Sequence, residues 1–228
     1  GSTSSVSLPE KFEGHIAEFR HSSSNRGYST PTISTPVDNR FIRDSYTELL
    51  LHMEGEMWGS VFIDDSVKAP HLITPSGDVW TTRLDKKVGV SSAKFEGGHL
   101  KVGASKDWIL SGDFTIEGWV KSDGTIKSNE GTSYNEFILG NRSSLSENNS
   151  LRLWYSTTPS FNGFVLHTFS ASSDLYTTYN TGILNTEWHH FAFSRTGSTI
   201  KFYLDGVEAS AYQDQISDTS LGLEKDLY

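Results

Sequence analysis

Cysteine is absent from this 228-residue sequence, so disulfide bonds are excluded and the redox compartment stays open. A chain of this length can still bury most of its apolar surface without cross-links. Long apolar runs are also lacking. None approaches the roughly 18 residues that a membrane helix needs, and no membrane insertion is expected. Positive charge is scarce: the net charge of −9 argues against non-specific nucleic-acid binding.

Helical periodicity is missing as well, and several segments alternate in the manner of β-strands. Residues 113–120 place Phe114, Ile116 and Val120 on one face of a strand. Residues 187–195 repeat this pattern, and residues 200–206 follow across a short turn. Twenty glycines and 12% aromatic residues fit short strands joined by tight turns.

These three segments carry a family resemblance. They read F-T-I-E-x-W-V, W-H-H-F-A and I-x-F-Y-L-D-G, and they resemble the LamG-like branch of the concanavalin A-like jelly-roll family. The resemblance implies an all-β fold, a two-sheet antiparallel jelly-roll sandwich. The side chains expected between the sheets are Phe114, Ile116, Val120, Phe191, Phe193, Phe202 and Leu204. Residues 89–102 match a further family motif, which implies a hairpin turning at Glu96, Gly97 and Gly98.

The order of the motifs predicts an unusual organisation. The strand of residues 14–20, from Gly14 to Arg20, resembles a segment that closes a family unit, whereas residues 48–53 resemble one that opens it. We therefore expect residues 1–45 to hold a terminal strand and connector, and residues 46–228 to form the LamG-like domain. Three explanations remain open: an excerpt of a tandem array, a circular permutant, or a subunit that lends its first strand to a neighbour.

Structural calcium is the cofactor that the resemblance suggests. Asp64 and Asp65 occupy a family element of the form F-x-D-x-S, and Asp78 is a third candidate ligand. Calcium binds six to eight oxygen atoms from carboxylates and loop carbonyls. The alternative is that these are solvated loop acids.

Catalysis is not expected. Glycosidases of this fold carry two Glu flanking an Asp at alternate positions of one strand, E-x-D-x-E or close to it, whereas Glu117 is alone on its strand. His189 and His190 face opposite sides of a strand and belong to the framework motif W-H-H, which is unfavourable for a shared metal ion.

Outward-facing aromatic residues are the candidate binding surface. If alternate residues pack inward, Arg152, Trp154 and Tyr203 face outward, where aromatic rings could stack on sugars. The alternative is that loops cover this face and the rings form a secondary core.

Two functions are consistent with the sequence. One is a binding or adhesion module for glycans or a surface protein, located extracellularly, on a cell surface or on a virion. The other is a structural spacer or filament subunit that assembles by exchange of the strand from Gly14 to Arg20 with a neighbouring repeat or subunit.

Overall fold

The computed structural model describes residues 12–28, 30–32, 39–68, 70–123, 134–141, 150–158, 161–170, 173–181, 186–214, 216, 221–222 and 224–228. Its strands are β1 (Glu13–Ser22), β2 (Thr47–Leu51), β3 (Ile73–Ser76), β4 (Val79–Thr82), β5 (Ser92–Glu96), β6 (His99–Val102), β7 (Phe114–Ser122), β8 (Tyr134–Gly140), β9 (Arg152–Thr158), β10 (Phe161–Ser170), β11 (Ser173–Asn180), β12 (His189–Thr196), β13 (Thr199–Leu204), β14 (Val207–Ala209) and β15 (Ala211–Asp214). A single 3₁₀ turn, Lys106–Trp108, is the helical element of these ranges. None of the described segments forms a helix with the length and apolar character needed to span a bilayer.

The larger sheet has eight antiparallel strands. Its order is β14-β13-β12-β7-β1-β5-β4, and β2 pairs with β1 on the same side as β5. The second layer contains a five-stranded sheet of order β15-β11-β10-β9-β8 and the two-stranded sheet β3-β6. Two residues join these smaller sheets. Leu227 exchanges backbone hydrogen bonds with Val102 of β6, and Tyr228 does so with Gly140 of β8.

The main core lies between the two layers, where aromatic rings from both sheets meet. Phe164 of β10 packs 4.8 Å from Phe202 of β13 and 5.8 Å from Phe191 of β12, measured between ring centroids. Of the predicted core residues, all but Leu204 are at most 1% exposed, and Leu204 is partly buried against the same cluster. The predicted sandwich and its core are therefore confirmed.

The N-terminal strand β1 lies in the middle of the larger sheet rather than at its edge. It pairs with β7 along one side and with β5 and β2 along the other. Its pairing with β7 shifts register between Ala17 and Arg20, where Glu18 adopts a left-handed backbone conformation with φ of 51°. Within this single chain the strand pairs in its own sheet, and pairing with a neighbouring subunit stays a prediction.

The hairpin predicted at Glu96–Gly98 is wrong. Gly97 does turn the chain with φ of 78°, but β5 pairs in the larger sheet and β6 pairs with β3. Gly98 explains the divergence of the strands, because its backbone crosses close to residue 78. A Cβ atom at Gly98 would lie 2.5 Å from the carbonyl carbon of Asp78.

Replacing Phe202 with alanine tests the position of the core. The side chain is fully buried between the layers, so we expect the free energy of unfolding to fall by roughly 3–5 kcal/mol. Val207→Ala on the neighbouring strand is the control, since Val207 is 58% exposed. Denaturant unfolding measures both, and a loss under about 1 kcal/mol for Phe202→Ala would contradict the assignment.

Deleting residues 1–22 tests the central position of β1. The deletion exposes unpaired N–H and C=O groups along β7, β5 and β2, so we expect loss of cooperative folding or aggregation. A synthetic peptide of β1 should restore the folded state when added in excess. A deletion variant that stays monomeric and equally stable would contradict the arrangement.

Candidate functional site

The structure does not bring the three predicted ligand-binding residues together. Arg152 and Trp154 lie on the outer face of β9 in the smaller sheet, and Tyr203 lies on the outer face of β13 in the larger sheet. Trp154 is 7% exposed and Tyr203 is fully buried. The expectation of an exposed aromatic row at these positions is therefore not met.

Neighbouring side chains cover both rings. Trp154 makes edge contacts with His167 at 5.4 Å and Tyr176 at 6.2 Å, and the guanidinium of Arg152 lies 5.1 Å from its ring centroid. Tyr203 is covered by Tyr28, with 5.5 Å between the ring centroids. Tyr28 belongs to the connector, the segment of residues 23–46 between β1 and β2. These positions fit the alternative weighed from the sequence, a secondary core.

The three predicted calcium ligands each make different interactions. The buried Asp64 carboxylate accepts hydrogen bonds from three backbone N–H groups and the Ser66 hydroxyl and contacts His71 Nδ1 at 2.8 Å, which leaves little room for a cation. Asp65 pairs with Arg43 at 2.7 Å, and Asp78 is exposed beside β4. Among the described residues, no group of three or more His, Asp or Glu side chains could hold a metal ion. Within the described part of the chain, Asp64, Asp65 and Asp78 are therefore not arranged as ligands of one calcium ion.

A buried carboxylate network lies on the outer face of the larger sheet. Glu117 of β7 is fully buried, and its Oε1 accepts hydrogen bonds from Arg20 Nη2 at 2.5 Å and Nε at 2.9 Å. Its Oε2 accepts a hydrogen bond from the Tyr28 hydroxyl and lies 3.5 Å from His190 Nε2. Glu117 is therefore held by groups from β1, β12 and the connector.

The bulge in β1 brings a second carboxylate to the same face. Glu18 is fully buried, and its carboxylate contacts His52 Nδ1 at 2.9 Å. The backbone N–H of Phe41 donates to it at 2.8 Å. Sequence inspection assigned Glu117 no carboxylate neighbour because it considered a single strand, whereas Glu18 comes from the adjacent strand of the sheet.

This network is suited to holding the fold rather than to acid–base chemistry. Burial opposes ionisation of Glu117, but the contact with His190 and the charge of Arg20 outweigh it and lower the pKa of the carboxyl below its usual range. A general acid needs a raised pKa and access to the substrate. Hydrogen bonding to Glu18 raises the pKa of His52 despite its partial burial, which favours the charged form beside that carboxylate.

An exposed pair of tryptophans lies at the edge of the larger sheet. Trp58 is 67% exposed, and its ring centroid is 5.4 Å from that of Trp80, with 36° between the ring planes. Trp80 belongs to the edge strand β4 and points to the outer face, where it is partly exposed. Together the two rings form a surface that we call the tryptophan platform.

The backbone around Trp58 is held firmly in an uncommon conformation. Its φ of 63° lies in the left-handed region, which costs a non-glycine residue roughly 1–2 kcal/mol. The Trp58 N–H donates to Thr81 O at 2.9 Å, and the Thr81 N–H donates to Gly59 O at 2.8 Å. Gly59 is required for this approach, because a Cβ atom there would lie 2.9 Å from both Glu56 O and Thr81 Oγ1. These backbone hydrogen bonds therefore hold Trp58 in the strained conformation.

Polar and apolar side chains lie on the two chain segments that carry Trp58 and Trp80. Arg83 and Glu56 form an ion pair at 2.9 Å on the same two chain segments, and both side chains are largely exposed. Leu84 is 81% exposed. Sequence reasoning missed the platform, because alternation in strands does not identify an exposed ring in a loop. The available signal was a tryptophan followed by Gly59 outside any predicted strand.

A cavity of about 850 Å³ also lies between the layers. Most of its lining consists of core side chains such as Phe19, Leu49 and Met53, and Asp226 at its border is paired with Lys101 at 2.6 Å. Polar residues also line this cavity: His99, Asn141, Arg152, Glu224, Lys225, Asp226 and Tyr228. The tryptophan platform differs in presenting an aromatic ring that is mostly exposed, and this exposure makes it the candidate site for a ligand that stacks on aromatic rings.

Two histidines stay neutral in the folded chain. Burial lowers the pKa of His21 to about 4, and His21 Nε2, which lies near Trp108, has no hydrogen-bond partner among the described residues. Burial also lowers the pKa of His15 to about 4, against the opposing charge of Asp85. Both side chains ionise more readily in the unfolded chain.

Comparison with known proteins gives one match. A family model described as the concanavalin A-like lectin/glucanases superfamily matches residues 95–225, more than half of the chain. The matched region includes β7, β12 and β13, whereas Trp58 and Trp80 precede it. Comparison with curated proteins and with solved structures gives no match.

The neutral state of His21 predicts acid sensitivity. Below pH 6.5, His21 binds a proton in the unfolded chain, whereas in the folded chain it does so only near pH 4. The contribution of neutral His21 to the free energy of unfolding is therefore fully present above pH 6.5 and is lost as the pH falls toward 4. His21 alone should contribute roughly 3 kcal/mol of this loss. Urea unfolding at pH 7 and pH 4.5 measures the loss of unfolding free energy, and His21→Gln should make this loss smaller. An equal loss in the variant and the unmodified chain would contradict the role assigned to His21.

Proposed function

The chain belongs to the concanavalin A-like lectin/glucanase superfamily, and on that premise we propose that it is a non-catalytic module that binds a glycan at the tryptophan platform. The sandwich fits a binding module in general, and the identity of the ligand is the proposed step. The observation that carries the proposal is the exposed ring of Trp58, held over Trp80 in a strained conformation.

Sugar recognition accounts for this geometry. The C–H face of a sugar ring is apolar and stacks on an aromatic ring, while its hydroxyl groups need polar neighbours. Trp58 supplies the aromatic ring for stacking, and Arg83 and Glu56 supply polar groups for the hydroxyls.

The non-catalytic part of the proposal is supported by the buried carboxylates. Glycoside hydrolysis requires two carboxyl groups flanking the scissile bond, one of them protonated. Glu117 and Glu18 lie on adjacent strands of the larger sheet, and both are fully buried, with Tyr28 hydrogen-bonded to the first and Phe41 to the second. Neither can contact a glycosidic bond without removal of the connector.

A surface protein is the alternative ligand. Leu84, Val61 and Ile63 are 81%, 69% and 70% exposed, and they follow the two tryptophans along the chain. With either ligand, the proposal places the module extracellularly, on a cell or virion surface where such ligands occur. The structural-spacer function, in which β1 is exchanged with a neighbouring subunit, stays the alternative to a binding module.

Replacing Trp58 with alanine tests the proposed function. On a glycan array, the unmodified chain should bind, and Trp58→Ala should reduce the signal at least about tenfold, because the stacking surface is lost. Stability should change little, since the ring is 67% exposed. Tyr46→Ala is the matched control, because Tyr46 is a 54% exposed aromatic residue outside the platform.

Trp154→Ala distinguishes the platform from the surface predicted by sequence. Because Trp154 is buried, its replacement should lower the stability of the fold and leave the glycan preference of the folded fraction unchanged. Loss of glycan binding in a stable Trp154→Ala variant, with Trp58→Ala still binding, would contradict the platform.

A further inference from the structure

The tryptophan platform continues into a row of side chains that crosses the larger sheet. Trp80 of β4 is paired with Lys94 of β5, Lys94 with His15 of β1, and His15 with Lys121 of β7. Residues paired across antiparallel strands point to the same face, so these four side chains share the outer face. The row runs perpendicular to the strands, and each member is partly exposed.

A second aromatic position lies further along this row. The ring of Trp188 contacts His15 edge-on, with 6.1 Å between the centroids, and its indole N–H donates to Asp85 at 2.9 Å. His15 is two strands away from Trp80, which corresponds to about 10 Å at the usual strand spacing. This separation exceeds the width of one sugar ring, so a ligand that contacts both aromatic positions must contain several sugar residues.

The charges along the row are balanced. Lys94 lies 3.8 Å from Glu96 and 3.7 Å from Asp123, and Lys121 is paired with Asp85 at 2.5 Å. A site for an acidic polysaccharide would present uncompensated cations. Paired lysines and carboxylates instead supply donors and acceptors for hydroxyl groups without a net attraction for anions.

We propose that the row from Trp58 to Trp188 binds a neutral, linear oligosaccharide that lies across strands β4, β5 and β1. Trp58 and Trp80 stack on one sugar, Trp188 contacts a later one, and Lys94 and His15 lie beneath the sugars between them. The inference rests on the proposed function, since it defines the length, direction and charge class of the ligand bound at the platform.

Chain-length dependence tests this inference. Affinity is measured by titration calorimetry with mono- to hexasaccharides of the cello-, xylo- and laminari- series. For the series that binds, the affinity should rise about tenfold or more as the chain becomes long enough to contact Trp188, and then level off. Trp188→Ala should remove this rise and leave binding of the shortest ligand intact, whereas Trp58→Ala should weaken every length.

The outcomes separate the two proposals. Binding that depends on Trp58 but not on chain length or Trp188 would contradict the extended site from Trp58 to Trp188. The same result would still support glycan binding at the tryptophan platform. Absence of binding to every neutral and acidic glycan would overturn both. Tighter binding of oligogalacturonides than of the neutral series would overturn the neutral assignment. Trp188→Phe retains a ring of smaller size, so it should keep the length dependence even where Trp188→Ala folds poorly.

Discussion

The pairing of β1 with β7 is the constraint on which the rest of the structure depends. This pairing places Arg20 beside Glu117, and the resulting buried ion pair also receives the hydroxyl of Tyr28 from the connector. A buried ion pair is costly unless every charge is compensated. Because the partners come from β1, β7 and the connector, these elements have to be in place together for the charge of Glu117 to be compensated.

The same constraint divides the outer face of the larger sheet into two halves. Over the half near β12 and β13, the connector covers the sheet, with Tyr28 on Tyr203 and Phe41 on His190. Over the half near β4 and β5, the side chains are partly exposed, and Trp58 is exposed to solvent over most of its surface. The connector thus seals the carboxylates and leaves the row of side chains from Trp58 to Trp188 accessible. This division is consistent with the proposed function, a binding module whose buried carboxylates do not contact the ligand.

The sequence predicts the core well because alternation is local information. Phe114, Ile116 and Phe202 reveal their common face within a few residues of chain, and all three are buried as expected. Sheet membership is not local, so the divergence of β5 and β6 at Gly97 was missed. Exposure is not local either: Trp154 was expected to be exposed and is covered, whereas the exposed ring of Trp58 depends on contacts with β4.

The most direct test of the account is the response of the six tryptophan indole N–H signals to a glycan. In ¹H–¹⁵N NMR spectra of the full chain, titration with a neutral oligosaccharide selected by array should shift the signals of Trp58, Trp80 and Trp188. The buried signals of Trp108 and Trp119 should remain in place. A shift confined to Trp154, with the platform signals unchanged, would contradict the account.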